Sequence, residues 1–271
     1  MSIITISRGS FGYGHEVAEE VARRLDYTHV SREILLEASN QFNVPEVKLQ
    51  KVYDKGPSIL DQITNGKEKY IAYIEAAFLE RMTRDNVVYE GFAGQFFVRG
   101  IAHALKVRIN ADIKKRVKLV MDSEGLSEEK ALKFIKKIDQ ERKRWGLSLY
   151  RQDTFDTSLY DLVVQIGQIG VEDAIELISS TVNMDQFKTT PESKSLLYDR
   201  FVAARVKAKL IAGNFPKAIV GCRDGVIEAS ALAPRLSQQK SLIAEIERIA
   251  EDLKGGSDVK FTGMSEFHKG A

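Results

Sequence analysis

The sequence predicts an α/β fold, with a parallel β-sheet flanked by helices, followed by a small α+β domain. Short β-branched strands alternate with amphipathic helices up to about residue 184, and a glycine-rich loop joins the first strand to the first helix. Beyond residue 195 the order changes, because two helices enclose a hairpin signal. We therefore expect one domain over 1–184, a polar linker over 185–195 and a second domain over 196–271.

Composition narrows the class of protein. The 271 residues are 44% hydrophobic and carry a formal charge of +2, so the overall charge gives no reason to expect a nucleic-acid partner. The single cysteine, Cys222, excludes an intramolecular disulfide framework. No apolar run has the roughly 20 residues that a transmembrane helix needs. We expect a cytoplasmic protein with no transmembrane segment.

The first strand, loop and helix have the pattern of an anion site. A β-branched strand over 3–7 leads into a loop with three glycines, and an amphipathic helix follows over 15–25. Glycines let backbone N–H groups converge, and the helix directs its unpaired N–H groups at the same point. A chance glycine-rich turn is the alternative. We predict phosphate binding by the residues of this stretch, which are Arg8, Gly9, Gly12, Tyr13, Gly14, His15 and Glu16.

The elements that follow alternate as in a parallel sheet covered on both faces. Glu90 comes directly after a buried strand, which places a carboxylate at the carboxyl edge of the sheet, where such folds bind ligands. A solvated strand end is the alternative for Glu90. Strand patterns lie at 27–30, 87–89, 105–109 and 162–166, and helical patterns lie at 32–42, 67–84, 112–123, 127–144 and 171–183.

Basic residues cluster late in the second half of the predicted parallel-sheet domain. Arg142, Arg144 and Arg151 precede or begin an irregular stretch that contains Asp153 and Asp156. Guanidinium groups at this place are suited to close over phosphates as a lid. A solvated helix face is the commoner explanation of such a run, and both interpretations stay open.

Several motifs follow one another in order along residues 2–183. They are the Ile6-Ser7-Arg8 opening with its glycine loop, Ser31-Arg32-Glu33-Ile34, Val87-Val88-Tyr89-Glu90-Gly91, Asn110-Ala111-Asp112 with Arg116, Gly125-Leu126-Ser127, Arg142 with Arg144, and Tyr160-Asp161-Leu162. Together these motifs resemble the cytidylate kinase-like family within the P-loop nucleoside monophosphate kinases.

The resemblance implies a five-stranded parallel core of the P-loop kinase type, an ATP phosphate loop over 9–16, a monophosphate-binding region across about 32–80 and an arginine lid over about 142–155. It also implies transfer of the γ-phosphoryl group of ATP, with Mg²⁺, to a nucleoside monophosphate of the CMP or dCMP type. The residues that it assigns to catalysis are Arg142, Arg144 and Arg151, and those that it adds to the phosphate site are Arg32, Glu90 and Arg116.

The chain departs from the kinase pattern at two places. Gly9 and Gly14 match the glycines of G-x-x-x-x-G-K-[ST], but His15 stands at the lysine position and Glu16 at the hydroxyl position. The pattern Glu-Gly-Arg-Asp reads Glu-Gly-Phe-Ala at 90–93. Two interpretations follow, an active nucleoside monophosphate kinase and a nucleotide-binding regulatory protein that signals through its C-terminal domain.

The C-terminal part has the order α-β-β-α-β. A helix over 197–212 precedes strands on either side of the turn at Asp224-Gly225, and a helix over 237–253 leads to a third strand over 259–261. This order resembles a BON-like domain, a module known for contacts with lipids or other proteins. A plain structural appendage or one that forms a homo-oligomer is the alternative.

Other reactive side chains carry no site prediction. His29, His103 and His268 lack metal-ligand spacing with one another or with Cys222, so we interpret them as surface or packing residues and predict no metal ligands. Cys222 is expected to be a small core residue. Trp145 is suited either to stack on a base or to fill the space under the lid.

Overall fold

The computed structural model describes residues 1–55, 66–213, 215, 218–230, 236–253 and 260–261. The strands are β1 (Ile3–Arg8), β2 (Thr28–Val30), β3 (Val87–Glu90), β4 (Ala104–Ala111), β5 (Leu162–Ile166), β6 (Ile219–Arg223), β7 (Val226–Ser230) and β8 (Lys260–Phe261). The helices are α1 (Gly14–Leu25), α2 (Glu33–Phe42), α3 (Glu46–Lys55), α4 (Gly66–Met82), α5 (Gly94–Phe97), α6 (Ile113–Glu124), α7 (Glu128–Tyr150), α8 (Val171–Val182), α9 (Pro191–Ala212) and α10 (Leu236–Leu253).

Five strands form the parallel sheet that the sequence predicts. Their order is β2-β3-β1-β4-β5, and every neighbouring pair is parallel. Ile3 of the central strand pairs with Val87 on one side and Ala104 on the other. Because a parallel sheet is covered on both faces, β1 is buried almost throughout, and Ile3, Ile4 and Ile6 are fully buried. The predicted α/β fold class is confirmed.

The chain divides into two compact units, each described here by itself. The first unit contains residues 1–33, 53–55 and 84–190, and it includes the whole parallel sheet. Helices α1 and α8 bury their apolar faces in its core, through Val17 and Val21 of α1 and Ile175 and Ile178 of α8.

Helix α7 continues to Tyr150, whereas the sequence pattern predicts an end near residue 144. Trp145 and Gly146 are buried within the extra turns. A Cβ atom on Gly146 would lie 2.7 Å from the Thr154 side chain, so the glycine allows the following segment to pack against the helix. Arg151 has φ 53° and ends α7 in the left-handed conformation. The basic run therefore lies on a helix up to Tyr150.

The second unit contains residues 34–52, 66–83 and the described residues from 191 onward. Helix α4 packs along α9, and β6 and β7 form an antiparallel hairpin to which β8 adds in parallel. Asp199 of α9 is buried and accepts hydrogen bonds from the backbone N–H groups of Asp224 (2.7 Å) and Gly225 (2.9 Å) at the hairpin turn. The order α9-β6-β7-α10-β8 is the α-β-β-α-β order that the sequence predicts.

Two sequence expectations bear on this arrangement. The domain boundaries at 184 and 196 stay a prediction, while the structure places α4 in one compact unit with α9 because the two helices share a long contact. Among the helices that the structure describes, none combines the length and the apolar composition needed to cross a membrane.

Candidate functional site

The glycine loop follows β1 at the carboxyl edge of the parallel sheet. Phe11 and Tyr13 have φ angles of 54° and 61°, and α1 begins directly afterwards at Gly14. A Cβ atom on Gly14 would lie 2.6 Å from Cβ of Arg8. The glycine therefore lets the Arg8 side chain pass across the start of α1, because any larger residue would collide with it.

An ion pair between two helices holds the loop. Arg116 of α6 donates from Nε to the Ser10 carbonyl (2.7 Å) and from Nη2 to Oδ2 of Asp139 in α7 (2.7 Å). The Ser10 hydroxyl donates to Oδ1 of Asp139 at 2.6 Å. The assignment of Arg116 to the phosphate site stays a prediction, and in the structure its guanidinium contacts Ser10 of the loop and Asp139. Its contacts position the loop.

Glu90 brings together residues from three elements. Its side chain is 1% exposed at the end of β3 and forms an ion pair with Nε of Arg8. Nδ1 of His15 lies 2.9 Å from Oε2 of Glu90. Nε2 of His29 in β2 lies 3.9 Å from the same oxygen. Three predicted site residues, Arg8, His15 and Glu90, are thus neighbours, and His29 joins them.

A cleft beside the loop combines cationic and aromatic side chains. Arg142 donates from Nη1 to the Arg8 carbonyl (3.0 Å), and its guanidinium lies 4.7 Å from the centre of the Phe92 ring. The Phe92 ring lies 5.9 Å from that of Trp145, which is buried. Guanidinium groups can bind phosphate and aromatic rings can stack on a base, and this cleft combines both kinds of group. Its lining includes Arg8, Arg108, Arg142, Phe92, Trp145 and Phe155.

Arg108 is a site residue that the sequence interpretation missed. It is 3% exposed in β4, with its guanidinium 4.5 Å from the centre of the Phe155 ring, and its Nη1 makes long hydrogen bonds to Ser7 Oγ (3.4 Å) and the Tyr160 hydroxyl (3.3 Å). Nε of Arg108 is buried, and within the described part of the chain it has no hydrogen-bond partner. A buried guanidinium normally pairs with an anion. The available signal was a basic residue between the apolar positions Val107 and Ile109 of a strand buried on both faces.

Other predicted site residues stand apart from this cleft. Arg144 and Arg151 are exposed, and neither lines it. Arg32 and Glu16 are exposed as well, with Glu16 in the first turn of α1. Of the three arginines predicted for catalysis, the fold brings Arg142 alone into the cleft lining.

Comparison with known proteins agrees with this architecture. The sequence pattern of the cytidylate kinase-like family matches residues 3–168. The chain belongs to the cytidylate kinase-like family. The matched residues contain all five strands of the parallel sheet, the glycine loop, and the helix that carries Asp139 and Arg142.

Individual relatives match the same part of the chain. The cytidylate kinase of Pyrobaculum islandicum is 30% identical over 180 residues, which are 65% of this chain and 90% of the relative. The cytidylate kinase of Thermococcus kodakarensis is 27% identical over 184 residues, which are 67% and 88% of the two chains. The crystal structure of an uncharacterized protein from Eubacterium ventriosum matches with a TM-score of 0.51 and 22% identity, covering 68% of this chain and 99% of that one. At this identity, the likeness shows the fold alone.

Proposed function

We propose that this protein binds ATP at the loop after β1 and transfers its γ-phosphoryl group to a nucleoside monophosphate of the CMP or dCMP type. The observation that carries the proposal is the cleft beside this loop, whose lining includes Arg8, Arg108 and Arg142 with their guanidinium groups. Phosphoryl transfer depends mainly on positioning and on neutralising the charge of the phosphates, and such groups do both. The acceptor type is taken from two relatives that are cytidylate kinases.

Within this proposal the arginines have different roles. Arg142 lines the cleft and is the candidate catalytic arginine, whereas Arg144 and Arg151 are exposed and do not line it. Arg108 is buried and its Nε has no hydrogen-bond partner among the described residues, so a phosphate is a suitable partner for it. Arg116 acts through the loop, since its guanidinium already binds Ser10 and Asp139.

A kinase of this type uses Mg²⁺ with ATP, and the residues present suit that ion. Mg²⁺ takes oxygen ligands and needs only one or two protein carboxylates when phosphates supply the rest. Glu16 is an exposed carboxylate in the first turn of α1, whereas Asp139 is engaged by Ser10 and Arg116. Glu16 would therefore hold the ion, which when bound neutralises charge on the phosphates.

A phosphoryl-transfer assay tests the proposal directly. Purified protein is incubated with ATP and Mg²⁺ and, separately, CMP, dCMP, UMP, AMP or GMP, and ADP formation is measured. We expect transfer to the cytosine nucleotides above the others. Arg142→Ala should lower kcat/KM by at least about 100-fold if its guanidinium stabilises the transferring phosphoryl group. Arg144→Ala is the matched control on the same helix and should change it by less than about threefold.

The alternative is a nucleotide-binding regulatory protein with weak or no transfer. One observation favours it: His15 stands at the lysine position of the loop and its Nδ1 is within hydrogen-bond distance of Glu90 (2.9 Å). Nucleotide binding detected by thermal shift, without transfer to any monophosphate of the panel, would decide for this alternative. Loss of both binding and transfer would contradict the two functions together.

The C-terminal elements enter the proposal as a contact module. The BON-like prediction rests on the order α9-β6-β7-α10-β8, and the contact that it implies is with a lipid surface or another protein. Ile219 of β6 is exposed, which is consistent with such a contact. Co-sedimentation with lipid vesicles and a measurement of molar mass in solution test the lipid contact and homo-oligomer formation.

A further inference from the structure

Two imidazoles and a carboxylate converge beside the glycine loop. His15 lies in the first turn of α1, His29 lies in β2, and Glu90 ends β3. Their ligand atoms all lie within 4.8 Å of one another. His15 and His29 are 14 residues apart in the sequence, and His29 and Glu90 are 61 residues apart. This spacing does not indicate a metal site, because the cluster forms only when two parallel strands and a helix meet at one sheet edge.

The burial of an imidazole nitrogen in this cluster calls for a partner. Nε2 of His29 is buried and has no hydrogen-bond partner among the residues that the structure describes, although Oε2 of Glu90 lies 3.9 Å away. Buried polar side-chain atoms are nearly always hydrogen bonded or bound to an ion or water. A ligand between His29 and Glu90 would satisfy this nitrogen.

We propose that His15, His29 and Glu90 bind a divalent transition-metal ion of the Zn²⁺ type. Zinc bonds of about 2.0–2.2 Å in a tetrahedron place ligand atoms about 3.3–3.6 Å apart. Oε2 of Glu90 is 2.9 Å from His15 and 3.9 Å from His29, so these two distances lie on either side of that range. The side chain of His15 is 64% exposed and has room to adjust.

The donor set distinguishes the ion from Mg²⁺. Imidazole nitrogens suit zinc, copper and nickel, whereas Mg²⁺ prefers oxygen ligands. Two histidines and one glutamate leave the fourth position of a tetrahedral zinc ion open. Arg8 binds the other oxygen of Glu90, so the carboxylate keeps Oε2 for the ion while Oε1 holds the guanidinium.

The cluster lies beside the glycine loop, so a bound phosphate is available as the fourth ligand of the metal ion. His15 is the loop residue that stands at the lysine position of the phosphate-loop pattern, so an ion bound there adds two positive charges where that pattern has one. The open position then takes a phosphate oxygen of the bound nucleotide. This last step rests on the proposed nucleotide binding, whereas metal binding does not.

Metal binding is tested on the full chain without nucleotide. Chelator-treated protein is titrated with Co²⁺, followed by the visible absorption of tetrahedral cobalt, and with Zn²⁺ by calorimetry. We expect one ion per chain, and His15→Gln and His29→Gln should each weaken binding by at least about tenfold. Glu19→Gln removes an exposed carboxylate from the same helix and should bind as the wild type does. Far-UV circular dichroism verifies that each variant is folded.

The outcomes separate the metal site from the nucleotide site. Equal affinity of the wild type and folded His29→Gln for Zn²⁺, or no tetrahedral cobalt spectrum, would overturn the metal site even if nucleotide still binds. With free Zn²⁺ buffered, zinc should raise the affinity for a non-hydrolysable ATP analogue at least about tenfold in wild type and leave it unchanged in His29→Gln. An unchanged or lower affinity in metal-bound wild type would overturn the phosphate contact.

Discussion

The contact of Asp139 with the loop can be tested by removing a single charge. Asp139→Asn keeps the shape of the side chain but removes the anion that Arg116 binds at 2.7 Å. If Oδ1 stays with the Ser10 hydroxyl, which donates to it at 2.6 Å, the new amide NH₂ points at the guanidinium. Two donors then face each other, and the loop loses part of the support from α6 and α7.

The burial of the pair sets the size of the effect. The Arg116 and Asp139 side chains are 11% and 20% exposed, so water screens them only in part. Breaking a fully buried pair costs about 3–5 kcal/mol, and hydrogen bonds to charged groups contribute about 1.5–3 kcal/mol. Allowing for the exposed fraction, we expect a loss of about 2–3 kcal/mol in the free energy of unfolding of the first unit. For a chain of this size, that corresponds to a fall in Tm of about 4–12 °C.

The same helix provides a matched control. Lys133 and Glu129 form an ion pair of equal length, 2.7 Å, but their side chains are 75% and 79% exposed. Glu129→Gln should therefore cost less than about 0.5 kcal/mol. The assay is thermal unfolding by circular dichroism, together with the affinity for an ATP analogue, which Asp139→Asn should lower because the loop is less well positioned. If Asp139→Asn lowers Tm no more than Glu129→Gln does, the pair does not stabilise the loop.

Three further changes test other contacts. Gly14→Ala should cost about 1–3 kcal/mol of stability and weaken ATP binding, because the new Cβ would lie 2.6 Å from Cβ of Arg8. An unchanged Tm and affinity would show that the Arg8 side chain does not need the space that Gly14 leaves. Asp199→Ala should lower the unfolding free energy of the second unit by about 2 kcal/mol, measured by denaturant titration, since the backbone N–H groups at the hairpin turn lose their acceptor. A loss no greater than that of Glu247→Ala, a change at an exposed position of α10, would contradict this. Burial, aided by the hydrogen bond to Asp199, raises the pKa of the Cys222 thiol to about 12. Its reaction with a thiol reagent should therefore be slow at pH 8 and still accelerate above pH 9, because the thiolate is the reactive form. A rate that levels off near pH 9 would refute the raised pKa.

Local patterns along the chain account for most of the fold. The β-branched run at 3–7, the alternation with helices and the Asp224-Gly225 turn each depend on neighbouring residues, and the strands and hairpin lie where these patterns predict. The end of α7 was misplaced by about six residues because it depends on a distant contact. Gly146 packs against Thr154, and this packing cannot be inferred from helix periodicity.

The candidate site also depends partly on local sequence patterns and partly on contacts between distant residues. The sequence by itself determined the glycine loop and the carboxylate at the end of β3, since both are continuous with a strand whose direction is known. Only the tertiary structure decided which cations meet them. Arg142 and Arg144 are two residues apart on one helix, so they point in different directions, and the packing of α7 brings Arg142 into the cleft lining while Arg144 is exposed. His29 and Arg108 lie on different strands of the parallel sheet. They join the site because the strand order β2-β3-β1-β4-β5 places the carboxyl ends of those strands along one edge. This order depends on contacts between segments that are far apart in the chain.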